Sequence, residues 1–279
     1  MSRTYGRKVN HDPRSLAYSV GPLPKGAIKS IRWTRRAPVF DQGQVGSCTG
    51  NAAAGLIGTD SLGRTGATSI LVTTAQADAT RGVFTAGTHT VDEDLAVLCY
   101  ELNTRLDSFA GTYKPTDTGS DGVSAAKTLK ALGQADTYSH VFTMASLDAA
   151  LQSGPVMAGT QWMASMEDPA ADGTLTVDRT GEVLGGHEYV IDELDVERSR
   201  YGITNSWGTG WGIQGRAYIS KADMQWLLSK QGDVTVPHFN APQPAPVPVP
   251  VPAVTDADVL AAYRSLQAWA KRQGIVVTA

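Results

Sequence analysis

With 279 residues, 42% of them apolar and 18% charged, the chain has the composition of a folded protein with a sizeable core, not of a disordered one. A formal charge of −3 and the lack of any lysine/arginine run exclude the electrostatics of a nucleic-acid binder. Two cysteines, Cys48 and Cys99, are too few for a disulfide framework. No run of about 18 apolar residues is present to span a membrane. The basic first residues lack the apolar core of a signal peptide, so the chain is expected to be made, and first to act, in the reducing cytoplasm.

Residues 1–37 are interrupted by Asp12-Pro13, Gly21-Pro22-Leu23-Pro24 and Ala37-Pro38, and read as an extended arm lying over a body. Glycine-punctuated residues Asp41 to Gly46 then run into Ser47 to Gly58, small and apolar residues that suit a buried helix. Cys48 is expected at the N-terminus of that helix, where unpaired backbone N–H groups and the helix dipole favour a thiolate. Ser69 to Thr73 and Gly82 to Thr85 have strand character and can pair. Thr90-Val91-Asp92-Glu93 has the spacing of a capping box. It opens a helix to about Asp107, with Leu95, Leu98, Cys99, Leu102 and Leu106 on one face. Cys99 there reads as a small buried hydrophobe. A loop from Tyr113 to Gly119 leads to a second amphipathic helix, Val123 to Leu132, ended by Gly133.

After Gly133 the texture changes to short strand-like segments at 156–160, 175–177, 189–191, 201–204 and 216–219. Helices first and strands later predict two lobes with a cleft between them, a helical lobe over about 38–135 and a strand-rich lobe over about 136–240. Residues 241–254 form a Pro-rich linker, a polyproline II spacer on the order of 40 Å long at about 3.1 Å per residue. Residues 255–279 form a capped amphipathic helix that is too short to stand alone. It is expected to dock on the body, on an assembly partner or on copies of itself.

A thiolate nucleophile needs a proton acceptor, a group that orients the acceptor, and donors for the developing oxyanion. Of the five histidines, His11, His89, His140 and His238 stand in irregular or polar contexts and read as surface or cap residues. His187 differs, because it follows Gly185-Gly186 and enters the apolar run Tyr189-Val190-Ile191. Downstream, Asn205 follows strand-like Ile203-Thr204 and precedes Ser206-Trp207-Gly208. Its side-chain oxygen can hold an imidazole, and the indole can keep water off that bond.

Together, Gln42, Gly46-Ser47-Cys48, Gly186-His187 and Asn205-Ser206-Trp207-Gly208-Thr209-Gly210-Trp211-Gly212 resemble the papain-type cysteine peptidases, in the family's order and over roughly residues 20–235. His187 follows Cys48 by 139 residues, inside the roughly 130–150 residues of that family. Asp41-Gln42-Gly43-Gln44 and Ser47 to Ala52 are more similar to its bacterial and phage branch than to its lysosomal one. The resemblance implies an α+β fold of two lobes: a helical left lobe with a central nucleophile helix, an antiparallel barrel-like right lobe, and the active site in the cleft between. It implies Cys48 as nucleophile, His187 as general base and then acid, and Asn205 as the orienter of His187. Gln42 and the Cys48 backbone N–H would form the oxyanion hole. Trp207 would shield the His187–Asn205 bond, with Trp211 supporting the same wall. Gly119-Ser120, or alternatively Gly122, would bind an extended peptide on the opposite wall, and Gly186 would line the cleft. The implied partner is a peptide or protein substrate, with no cofactor and no metal.

Two departures from the family stand out. Val45 replaces a disulfide-forming cysteine, and Thr49 replaces an aromatic residue. The 47 residues before Cys48 are short for a full inhibitory pro-segment, so control by one is not expected. A second reading is a binding or assembly module of the same fold with weak or lost activity, tethered through its C-terminal helix to a larger body such as a phage particle, which makes a phage virion a further location. A third, a cell-wall amidase or endopeptidase, is disfavoured by Asn205-Ser206-Trp207, since those enzymes commonly use another histidine as orienter.

Overall fold

A computed structural model describes residues 3–240; the Pro-rich linker and the helix expected over 255–279 lie outside the described residues. Two short 3-10 turns in the arm precede β1 (Ile31–Arg32) and α1 (Cys48–Ile57). All ten residues of α1 are buried, as expected of a helix that is small and apolar all round. β2 (Ser69–Val72), α2 (Thr74–Ala79) and β3 (Gly87–Thr90) follow, with β2 and β3 paired antiparallel. The partner of β2 is therefore Gly87–Thr90 and not residues 82–85, which form the turn before it.

Next comes α3 (Glu93–Leu106), which Asp92 caps by accepting the Leu95 N–H at 3.1 Å. Thr90 is still paired in β3, so the capping box expected there does not form, and the Glu93 carboxylate instead accepts the Asp41 N–H at 2.9 Å. Cys99 is fully buried on α3. The close packing of α1 on α3 depends on Gly50, where an added Cβ would stand 2.3 Å from the Ala96 carbonyl oxygen. Asp121 caps α4 (Gly122–Ala131), and Gly133, at φ +65°, ends it.

The remainder runs through β4 (Ala135–His140), α5 (Met144–Leu151), β5 (Val156–Met163), β6 (Val183–Asp195), β7 (Arg200–Thr204), β8 (Arg216–Ser220), α6 (Lys221–Ser229) and β9 (Asp233–Phe239). Seven strands form one antiparallel sheet in the order β4-β9-β5-β6-β7-β8, with β1 also paired to β6. Among the described residues no pairing closes this path into a ring. Leu175–Val177 is not a strand, although the Leu175 N–H donates to the Tyr218 carbonyl at 2.8 Å. His140 is also not a surface residue: it is buried on β4, and burial lowers its pKa.

Strand alternation sorts the two cores. Val156, Ala158, Tyr189 and Ile191 join Leu147 of α5 and Leu227 of α6 in one core. Their neighbours Met157 and Val190 join Leu56 of α1 and Leu95 of α3 in the other. Both faces of the central strands are thus covered, and β6 is buried from His187 to Asp192. Asp192 carries a charge into this interior, held by Arg216 Nη1 and Thr204 Oγ1 at 2.6 Å each. Among the described residues no helix is long and apolar enough to cross a membrane.

Candidate active site

Cys48 is the first residue of α1 and is completely buried. The turn before it is pinned by the Gly46 N–H donating to Asp117 Oδ2 at 2.7 Å. Burial pushes the Cys48 thiol up to about 12, against the backbone N–H groups of Glu188, Gly6 and Thr49, which pull it down. The lowered pKa expected of a helix-start cysteine is therefore not found, because here desolvation outweighs the amide donors.

His187 lies on β6, next to Glu188, whose amide reaches the sulfur. One ring nitrogen, Nε2, stands 2.7 Å from Asn205 Oδ1. That oxygen also accepts the Ser206 N–H at 2.7 Å, which fixes it as the carbonyl end of the amide. Nε2 must then carry the proton and donate. Nδ1 is left as a bare lone pair, buried and without a hydrogen-bond partner, which is the form a general base needs. Burial holds His187 down to about 4, with the Asn205 bond opposing.

The Trp207 ring stacks on His187 with centroids 4.6 Å apart and planes 23° apart, while Trp162 meets the imidazole edge-on at 5.0 Å. Trp211 packs edge-on against Trp207 at 5.6 Å, and its Nε1 donates to the Glu167 carbonyl at 2.8 Å. These indoles keep water from the His187–Asn205 bond. In that dry setting the bond is stronger than it would be in solvent.

Gln42 is buried beside this pair. Ser206 Oγ donates to its Oε1 at 2.7 Å, which turns Nε2 toward the groove. There it donates to the Val45 carbonyl at 2.9 Å and to the Thr4 carbonyl at 3.1 Å. The amide thus already binds a peptide carbonyl, the group that becomes an oxyanion in acyl transfer.

That carbonyl belongs to the chain's own arm. The Arg7 N–H donates to the Gly186 carbonyl at 2.9 Å, the Lys8 N–H to the Ser120 carbonyl at 2.6 Å, and the Ser120 N–H to the Gly6 carbonyl at 2.8 Å. An added Cβ at Gly186 would stand 2.4 Å from the Arg7 carbonyl oxygen, so glycine is needed for this approach. Extended backbone sends alternate side chains the same way, and residues 3, 5 and 7 are the anchors. Arg3 pairs with Glu167 at 3.1 Å and lies 4.5 Å over the Trp207 ring. The Tyr5 hydroxyl donates to Glu167, and its ring meets His187 and Trp207 edge-on at 6.1 Å each. Arg7 is bound to Asp233. A few residues before Cys48 thus fill the groove, which the shortness of that segment had not led us to expect. With the groove filled, a cavity of about 580 Å³ lies elsewhere, beside Tyr18, Lys127 and His140.

The structure thus brings Cys48, His187, Asn205, Gln42, Trp207 and Trp211 into one neighbourhood, with Gly186 and Ser120 on the two walls gripping the arm. Gly119 turns the chain into Ser120 at φ +69°, and its N–H is held by the Tyr100 hydroxyl at 2.8 Å. Gly122 lies in the same region, against Glu188 and Asp233. Sequence reasoning missed Trp162, Glu167, Glu188, Asp233 and the role of Ser206. Only Ser206 carried a local signal, as part of the motif around Asn205.

No protein-family model matches the sequence, and no curated protein matches it. The fold is nonetheless that of the papain-like cysteine proteases. It is similar to xylellain, a cysteine protease from Xylella fastidiosa, with a TM-score of 0.58 and 16% identity over 86% of this chain and 99% of that one. It is also similar to procathepsin B S9 from Trypanosoma congolense (TM-score 0.52, 9% identity, 85% of this chain and 87% of that one). A third similar structure is procathepsin L2 from the larval midgut of Tenebrio molitor (TM-score 0.50, 14% identity, 85% and 78%).

Proposed function

We propose that the chain is a papain-type cysteine peptidase that hydrolyses peptide bonds through a Cys48 thioester. The observation that carries the reading is the arm itself: a main-chain segment is bound in extended form along the groove that holds Cys48, His187 and Gln42. In the proposed cycle, His187 Nδ1 takes the thiol proton as Cys48 Sγ attacks the substrate carbonyl carbon. Gln42 Nε2 and the Cys48 N–H receive the oxyanion. The C–N bond breaks as His187 returns the proton to the leaving amine. Water, deprotonated by the same nitrogen, then splits the thioester and frees Cys48. Asn205 acts by holding the tautomer and Trp207 by drying the bond.

The described state is closed, since the Thr4 carbonyl occupies the Gln42 donor and Tyr5 covers His187. Turnover requires the arm to leave. The sequence motifs support a place in the bacterial and phage branch, with a virion as one location and residues 255–279 as the tether. Deleting residues 241–279 and measuring co-assembly tests that part. The activity is tested by following hydrolysis of a peptide library by the full chain carrying Arg3→Ala and Tyr5→Ala, with and without Cys48→Ala. Cleavage lost with the thiol supports a peptidase, and no cleavage in either chain refutes it.

A further inference from the structure

Arg7 of the arm ends in an acidic well beside the thiol. Its guanidinium binds Asp233, and its Nη2 also donates to the Gln231 carbonyl at 2.7 Å. The second carboxylate of the well is Glu188, completely buried, with neither oxygen hydrogen-bonded. The walls are glycines where a side chain would close the space. A Cβ at Gly159 would stand 2.5 Å from Glu188 Oε2 and 2.6 Å from Arg7 Nε, and one at Gly122 would stand 2.8 Å from Glu188 Oε1. The well thus holds a guanidinium paired with Asp233, with the unpartnered Glu188 carboxyl close by and glycines lining the space. Arg7 follows Gly6, whose N–H bears on the Cys48 sulfur, and its own N–H is bound by Gly186, the residue before His187. A residue whose side chain enters this well has its neighbour over the nucleophile.

A buried carboxylate such as Glu188 is costly without a cation nearby, and the partly buried Asp233 is stable in its place with its ion-pair partner bound. When the arm leaves, Glu188 and Asp233 lose Arg7, and the next occupant must restore the charge. We propose that the Glu188–Asp233 well is the subsite that selects the substrate, and that it takes an arginine or lysine side chain in the place Arg7 holds in the closed state. This rests on the peptidase reading for its catalytic consequence, though not for binding. An apolar side chain in the well would strand Asp233 without its ion-pair partner and put no cation near Glu188, which a site of this kind rejects strongly.

The test uses full chains carrying Arg7→Ala, alone and combined with Glu188→Gln or Asp233→Asn. Each is given fluorogenic peptides that differ only in arginine, lysine or leucine at scanned positions. The Arg7→Ala chain is expected to favour the basic peptides by on the order of 100-fold in kcat/KM at one position. Each carboxylate substitution is expected to reduce that preference by about tenfold or more. Equal rates, a preference for leucine, or a preference that survives both substitutions would overturn the proposal. In parallel, calorimetry measures arginine and leucine peptides binding to the Arg7→Ala/Cys48→Ala chain. Selective binding without turnover of any peptide would sink the peptidase reading and leave the well standing. Turnover without selectivity would sink the well alone.

Discussion

Replacing Arg7 by alanine should expose the Cys48 thiol. In the closed chain Cys48 is 0% exposed, and the Arg7 side chain that helps hold the arm over it is 1% exposed. Breaking a buried ion pair costs about 3–5 kcal/mol, because the surviving charge is stranded. The Asp233 side chain is 18% exposed, so water can reach it in part and the lower end applies. A loss of about 3 kcal/mol from the closed state, at about 1.4 kcal/mol per factor of ten, raises the open fraction about 100-fold. The assay is the second-order rate of Cys48 alkylation by iodoacetamide, read by mass spectrometry on the full chain. Only the open form reacts, so the rate tracks its population. Cys99, buried on α3 with no arm over it, serves as the internal control for unfolding. Arg14→Ala removes an arm ion pair whose arginine side chain is 85% exposed, and it should leave the rate unchanged. An Arg7→Ala rate within a factor of two of the parent would refute the reasoning, as would Cys99 reacting as fast as Cys48.

Three further outcomes follow from the same coordinates. Asn205→Ala removes the 2.7 Å bond that fixes the His187 tautomer and should lower kcat about 10–100-fold with KM little changed; an unaltered kcat would remove Asn205 from the mechanism. Acidification should open the arm. The closed state holds His187 down to about 4 against an ordinary 6.5, so the open form binds the proton more tightly. Between pH 6.5 and pH 4 the His187 contribution shifts the balance toward release by at most about 3 kcal/mol, and the Glu188 and Asp233 carboxyls, held up by burial in the closed state, oppose part of that shift. Tryptophan fluorescence, which reports Tyr5 and Arg3 on Trp207, would show the transition, and a flat signal over that window argues against it. Arg216→Ala should lower stability by about 3–5 kcal/mol in urea unfolding, since it strands the buried Asp192; a loss under 1 kcal/mol would mean that Asp192 finds other partners.

What was legible in the sequence was whatever local chemistry dictates. The small residues of α1 announce a buried helix, and Asn205 with the indole and glycines after it announces a side chain able to hold an imidazole, as it holds His187. The strand alternation that buries Tyr189 and Ile191 on one side and Val190 on the other is equally local. By contrast, the cap of α3 was misread because Thr90 and Asp92 are both good cap residues, and the choice fell to pairing of Thr90 with Ser69 across the small sheet. The pKa of Cys48 was misjudged in sign, because a helix N-terminus is visible in sequence whereas the depth of burial is not. Trp162, Glu167 and Asp233 left no trace, since what brings each to the site is a partner more than 20 residues away: His187 for Trp162, Tyr5 for Glu167 and Arg7 for Asp233. An extended arm over the body was expected, but not its seat: Arg3, Tyr5 and Arg7 alternate as a strand does, and nothing in these residues says which groove they enter.

On the proposal that a substrate takes the well the arm holds, regulation is tied to specificity. Arm and substrate compete for Gly186, Ser120, Gln42 and the Glu188–Asp233 pair, so the apparent affinity for substrate is reduced by the fraction of chains that are open. A substitution that weakens the well for an arginine substrate weakens the arm's hold by the same chemistry. Its effect on turnover is then the balance of two opposed changes. Glu188→Gln in the chain with Arg7 intact should therefore alkylate faster at Cys48 while cleaving arginine peptides less selectively. A stabilising change elsewhere in the arm, at Arg3 or Tyr5, touches Glu167 and Trp207 and not the well. It should shift the open fraction while leaving the ratio of arginine to leucine cleavage where it was. These two responses separate a segment that merely covers the thiol from one that occupies the substrate's own place.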